Sequence, residues 1–122
     1  MITMNENTYN YINLDYMDMM SDGDESMKKV MLEMLLEELP VEIDKMNQLL
    51  GASNWEELGS VSHKMKSTLA FVGNNEMTEA NKQVELIAKA QDDLGTLPSL
   101  VATLVELTPK ALTELQNESD RL

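Results

Sequence analysis

At 122 residues with 43% hydrophobic content, the chain is long enough for one cored domain and leaves little room for a second. Its formal net charge of −13 sets it against nucleic acids and anionic membrane surfaces, whose phosphates repel such a protein. There is no cysteine, no apolar run of membrane-spanning length and no basic-then-apolar leader pattern, so a soluble, cytoplasmic protein without disulfides is expected.

Leu, Met, Ala, Glu and Lys outweigh Val and Ile, a composition that favours helix over strand. Residues 1–11, rich in Asn and Thr, show no sustained periodicity and are expected to form a flexible segment, ahead of one domain over residues 12–122. Ile12, Leu14, Tyr16, Met17 and Met20 predict a short helix over about residues 13–20, packed across one end of the later helices. The turn at Ser21-Asp22-Gly23-Asp24 leads into a long amphipathic helix ending at Gly51. Its apolar positions run from Met27, Val30, Met31 and Met34 through Leu35, Leu39, Ile43 and Met46 to Leu50, at steps of three and four. Pro40 falls inside it. A mid-helix proline removes one hydrogen bond and crowds the preceding turn, at a cost of about 3 kcal/mol, so a kink is expected, with a break into two helices as the alternative. Met27, Met31 and Met34 share a face and read chiefly as core. Methionine also suits surfaces that adapt to partners, and any of these at the edge near His63 is a candidate docking contact.

Ser53 and Glu56 have capping-box spacing and open the next helix, with Trp55 as a core anchor and an end near Gly73. Leu58, Val61, Met65, Leu69 and Val72 continue its buried stripe. His63, the single histidine of the sequence, lies off that stripe. One turn away on its own side are Gly59, Ser60, Lys66 and Ser67, with Ala70 a turn further and Lys64 adjoining. Short neighbours leave the imidazole open to a large reactant, and the lysines suit an anion. The matching chemistry is phosphoryl transfer. Imidazole titrates near neutrality and its neutral form is a competent nucleophile. Phosphoryl transfer asks a protein mostly for positioning and charge stabilisation. A metal centre is not expected, because no second His and no Cys is present to complete one.

Asn74 and Asn75 restart the chain into a helix to about Asp92, with Met77, Ala80, Val84, Ile87 and Ala88 inward, Gln83 and Glu85 on different sides, and Glu85 a candidate hydrogen-bond partner for His63 or a neighbouring lysine. Gly95-Thr96-Leu97-Pro98 makes a turn with Pro98 in the first turn of a last helix. That helix buries Leu100, Val101, Leu104, Leu107, Ala111, Leu112 and Leu115, bends at Pro109 and runs to about Asn117. Four amphipathic helices with short connections predict an all-α fold, an antiparallel four-helix bundle with a short N-terminal capping helix.

The run His63, Lys64, Met65, Lys66, Ser67, with Gly73 ten residues past the histidine, resembles the signature of histidine-containing phosphotransfer (HPt) domains. Met65 stands where that family usually has Leu, a near-isosteric change, and Ser67 where it usually has Gly. Glu85, twenty-two residues past His63, stands where the family often carries Glu or Gln, and the likeness extends loosely over residues 12–120. The same four-helix bundle is implied by the resemblance. So is a role as phosphorelay intermediate of a two-component system: His63 takes a phosphoryl group on Nε2 from a receiver-domain aspartate and passes it to another receiver. Lys66 and Lys64 would balance its charge, and Gly59, Ser60, Ser67, Ala70, Gly73 and Glu85 would clear or support the site.

A carrier without its own kinase domain needs no cofactor, the magnesium being expected on the receiver. Partners would be response-regulator receivers and a hybrid sensor histidine kinase, and a monomer is expected because each apolar stripe is already used. Two other classes fit the same residues. One is a non-catalytic helical adaptor that docks a response regulator. The other is the phosphoacceptor domain of a chemotaxis-type histidine kinase.

Overall fold

A computed structural model of the chain describes residues 9–122. Five helices account for most of them: α1 (Asp15–Met20), α2 (Glu25–Gly51), α3 (Trp55–Val72), α4 (Asn75–Ala90) and α5 (Leu97–Arg121), the last entered through a 3-10 turn at Leu94–Thr96. No strand occurs among the described residues. α2 packs on α3 and α5, and α4 packs on α3 and α5, so the four long helices close a ring around one core. Short connections at residues 52–54 and 73–74 force antiparallel neighbours, and α1 crosses α2 and α3 as a cap. The expected bundle is the observed fold.

The stripes are buried along most of their length, with Ile87, Leu100 and Leu112, read as buried, only half-buried, and the start of α2 departs further. Leu58, Val61, Met65, Leu69 and Val72 of α3 are buried, as are Met77, Ala80, Val84 and Ala88 of α4 and Val101, Leu104, Leu107, Ala111 and Leu115 of α5. In the first third of α2 the buried residue is Leu32, followed by Leu35 and Leu39, while Met27, Val30 and Met34 face solvent and Met31 is half-buried. The apolar pattern there is wider than the stripe the bundle covers. Met27 and Met34 are therefore surface, contrary to their reading as core.

The start of α3 differs too. Ser53 has φ +55°, in the left-handed region, and its amide donates to Leu50 O at 3.1 Å while the Asn54 amide donates to Leu49 O at 3.0 Å. These two bonds close the C-terminus of α2, so Ser53 ends one helix instead of starting the next. The N-cap falls to Asn54, whose side chain accepts from the Glu57 amide at 3.3 Å. Trp55 is half-buried against the core and is not a fully enclosed anchor.

α2 and α5 run unbroken through Pro40 and Pro109, so the alternative of a broken α2 is excluded. α5 also continues a turn beyond Asn117, because Glu118 and Ser119 are buried. Glu118 accepts from the Tyr9 hydroxyl, from Lys28 Nζ at 2.9 Å and from Arg121 Nη2 at 3.0 Å. The Asn10 and Tyr11 amides donate to the Glu114 carboxylate at 2.9 and 2.7 Å. Residues 9–11, expected in a flexible segment, are thus bound to α5; the remainder of that segment lies outside the described residues. The strap continues to Asn13, whose amide donates to Val72 O at 3.0 Å. Gly73 makes this approach possible: at φ +73° it caps α3, and a Cβ there would lie 2.0 Å from Asn13 O.

Candidate functional site

His63 sits midway along α3 with its side chain 59% exposed, and it leans towards α4. Its Nδ1 lies 2.7 Å from Oε2 of Glu85, a side chain only 10% exposed. Two ammonium groups converge on the same carboxylate: Lys89 Nζ at 2.9 Å from Oε2 and Lys66 Nζ at 3.3 Å from Oε1. The ammonium of Lys89 above all, with His63 and Lys66 and against the opposing pull of burial, holds the Glu85 carboxyl down from 4.5 to about 2. At neutral pH Glu85 is therefore ionised and only accepts. The short contact then requires His63 Nδ1 to carry the proton and donate it, which leaves the lone pair of the neutral ring on the outward Nε2.

The register that joins His63 to Glu85 is fixed next door. Ser62 and Asn81, both buried, bridge α3 to α4: the Ser62 hydroxyl donates to Asn81 O and Oδ1, each at 2.8 Å, and Asn81 Nδ2 donates to Ser62 O at 3.0 Å. Ser62 adjoins His63, and Asn81 is one turn before Glu85 on α4. No buried side-chain polar atom among the described residues is left without a partner, so this lock has no slack.

The residues nominated from sequence separate into groups. Lys66, Ser60, Ser67 and Ala70 are exposed around His63. Lys64 is also exposed but lines a groove towards α2 with Glu38, Glu42 and Lys45, away from the Glu85 side. Gly59 is not open clearance. It is buried against α4, where an added Cβ would lie 3.1 Å from Lys89 Cγ. Its missing side chain seats the Lys89 stem and lets that ammonium reach Glu85. Gly73 supports the site only by ending α3 beneath the strap.

Lys89, Ser62 and Asn81 were not singled out by sequence reasoning. Lys89 had a legible signal, since Glu85 and Lys89 form a Glu-to-Lys pair one turn apart. Ser62 and Asn81 had none, because small polar residues carry no sign of being buried until their partner is known.

Beside the site, Met31, Met34 and Leu35 of α2 and Ser67, Thr68 and Phe71 of α3 line an apolar groove. Ser67 is one turn from His63, so the groove begins one turn along α3 from the imidazole. None of the helices among the described residues is long and apolar enough to cross a membrane.

No curated protein and no solved structure matches the chain. Hpt domains transfer phosphoryl groups through histidine in two-component signalling, acting as phosphocarriers without kinase activity, and they interact with receiver domains and histidine kinases. The model of this family, the Hpt domain, matches residues 30–122, a span that holds most of α2 and all of α3, α4 and α5, and the chain belongs to it.

Proposed function

We propose that this protein is a phosphorelay intermediate in which His63 accepts a phosphoryl group from a receiver-domain aspartate and hands it to a second receiver. The observation that carries this reading is the pairing of an exposed His63 with an ionised Glu85 through Nδ1. With its proton on Nδ1, the ring needs no base: the Nε2 lone pair attacks phosphorus, the P–O bond to the aspartate breaks, and the carboxylate leaves with the bonding electrons. The phosphorylated ring becomes an imidazolium, and Glu85 balances its positive charge at the far nitrogen. Lys66 and Lys89 stand on the Glu85 side to meet the phosphoryl oxygens, and Lys64 contributes from the α2 side. The reverse sequence delivers the group to the next aspartate.

Magnesium for both transfers belongs to the receiver, and this chain acts as carrier and co-substrate, not as a kinase. The docking surface comprises α3 around His63 and the first half of α2, where Met27, Val30 and Met34 are uncovered. Its occupant is a receiver domain, bound transiently because a shuttle must release each partner. The bundle works as a monomer, its buried stripes being already covered by one another.

The test is transfer of radiolabelled phosphate from phosphorylated receivers of the same genome to the wild type and to His63→Gln. Acid-labile, base-stable label on the wild type and none on the variant is expected. Label that persists on His63→Gln would remove His63 as the carrier. A folded wild type that takes no label yet still binds a receiver would make the protein an adaptor.

A further inference from the structure

Thioether sulfur is unevenly exposed in this protein. Met17, Met46, Met65 and Met77 are sealed in the core at no more than 1% exposure. Met19, Met20, Met27 and Met34 stand in solvent at 66%, 50%, 48% and 50%, with Met31 half-buried beside them. Every methionine outside the core among the described residues thus falls between positions 19 and 34, on the end of α1 and the first half of α2. The sequence has no cysteine, so no thiol in it competes for an oxidant.

Part of this cluster packs beside α3, the helix that carries His63. Met31 and Met34 share their groove with Ser67 and Phe71 of α3. The Phe71 ring lies 5.1 Å from that of Tyr16, and Met19 and Met20 follow Tyr16 by one turn of α1. Adaptable apolar thioethers favour docking of varied partners, and leaving several of them wet costs stability that a surface without partners has no reason to forgo.

We infer that Met19, Met20, Met27, Met31 and Met34 form an oxidative modification site, on which a peroxide switches off receiver docking. The inference rests on the reading of this face as the docking surface. In the step itself a thioether sulfur attacks one peroxide oxygen, an S–O bond forms and the O–O bond breaks. Sulfur is oxidised by two electrons, and the second oxygen leaves as water once it is protonated. The sulfoxide is polar and chiral, and it places a strong hydrogen-bond acceptor where a partner must bury apolar surface. Reversal consumes two thiols through methionine sulfoxide reductases, giving a disulfide, water and the original thioether. Because the core methionines are closed off, the modification alters the surface and spares the fold.

The experiment treats the full chain with dilute hydrogen peroxide, removes the excess with catalase, and divides the sample. Peptide mass spectrometry should find oxygen added at Met19, Met20, Met27 and Met34 well before Met17, Met46, Met65 or Met77. Even oxidation of both groups overturns the modification site, whatever any receiver does. In the second portion, phosphoryl transfer from a receiver should slow about tenfold, the loss expected when one or two buried methionine contacts become polar. Circular dichroism should be unchanged, and both sulfoxide reductases with a thiol should restore transfer. A variant with all five replaced, Met→Leu, has its own basal rate, and that rate should not respond to peroxide. Transfer that is unimpaired after surface oxidation, or equally impaired in the leucine variant, overturns the switch. An untreated wild type that neither accepts phosphate from nor binds any receiver overturns the docking reading and the switch with it, but leaves the mass-spectrometric result to stand by itself.

Discussion

Glu85 decides which nitrogen of His63 is free. A carboxylate that is ionised can only accept, so it fixes the tautomer as well as the orientation of the ring. Glu85→Gln keeps the shape but offers either an acceptor or a donor, and it brings no charge to offset an imidazolium. The variant should accept phosphate roughly tenfold more slowly, at the low end of what losing the partner of a functional imidazole costs in metal sites. The pH dependence of stability is a second readout. The folded carboxyl is depressed from 4.5 to about 2, so its stabilisation is complete above the ordinary value and fades as pH falls from there through about 2. Urea midpoints of wild type and Glu85→Gln should therefore differ by a constant amount at neutral pH and converge in that acidic window. Parallel curves down to the lowest pH would mean that Glu85 is not held ionised by Lys89, His63 and Lys66. At this scale the sequence was readable where one residue was unusual. His63 was the single histidine, and Glu85 was reached through the HPt likeness. The role of Gly59 was hidden, because a glycine looks the same whether it opens a site to solvent or makes room for the stem of Lys89.

Helix ends show what periodicity leaves out. The stripes of α3, α4 and α5 were legible because burial repeats every three or four residues, and the structure buries them as read except at Ile87, Leu100 and Leu112, which lie half-buried at the stripe edges. The first third of α2 misled because its turns carry more apolar side chains than one face can hide, and a pattern alone does not say which the neighbouring helices will cover. Ser53 misled for another reason. Its spacing to Glu56 fits a capping box, but the residue is already used to close α2 in the left-handed conformation. Substitutions at the two adjoining positions should therefore have opposite signs. Ser53→Gly should stabilise the protein by about 0.5–1 kcal/mol, since glycine takes positive φ without strain. Asn54→Ala should destabilise it by about 1 kcal/mol through loss of the cap on Glu57 N. Urea denaturation measures both. A neutral Asn54→Ala together with a costly Ser53→Gly would return the cap to Ser53.

Across the whole molecule, a chain of net charge −13 holds one of its glutamates almost without solvent, at the place where the N-terminal strap meets α2 and α5. Burial pushes the Glu118 carboxyl up, but bonds from Tyr9, Lys28 and Arg121 outweigh it and leave the group below its ordinary range. Its stabilising effect is thus present above the usual carboxylate range and lost as the solution is acidified. Glu118→Leu would leave Lys28 with Asp18 as its ion-pair partner and return Arg121 to water, so the cost should fall at or below the low end for breaking a buried pair, about 2–3 kcal/mol. Adding Lys28→Met should recover part of that loss, because it removes the partially desolvated cation left behind. Chemical denaturation of the two variants measures the coupling, and a double variant no more stable than Glu118→Leu would show that Lys28 was adequately solvated or paired elsewhere. Glu118 touches none of His63, Glu85, Lys66 or Lys89. Below its own melting temperature Glu118→Leu should therefore carry phosphate at the wild-type rate. A slower rate in the folded variant would mean that the strap, through Asn13 and the end of α3, also sets the position of His63.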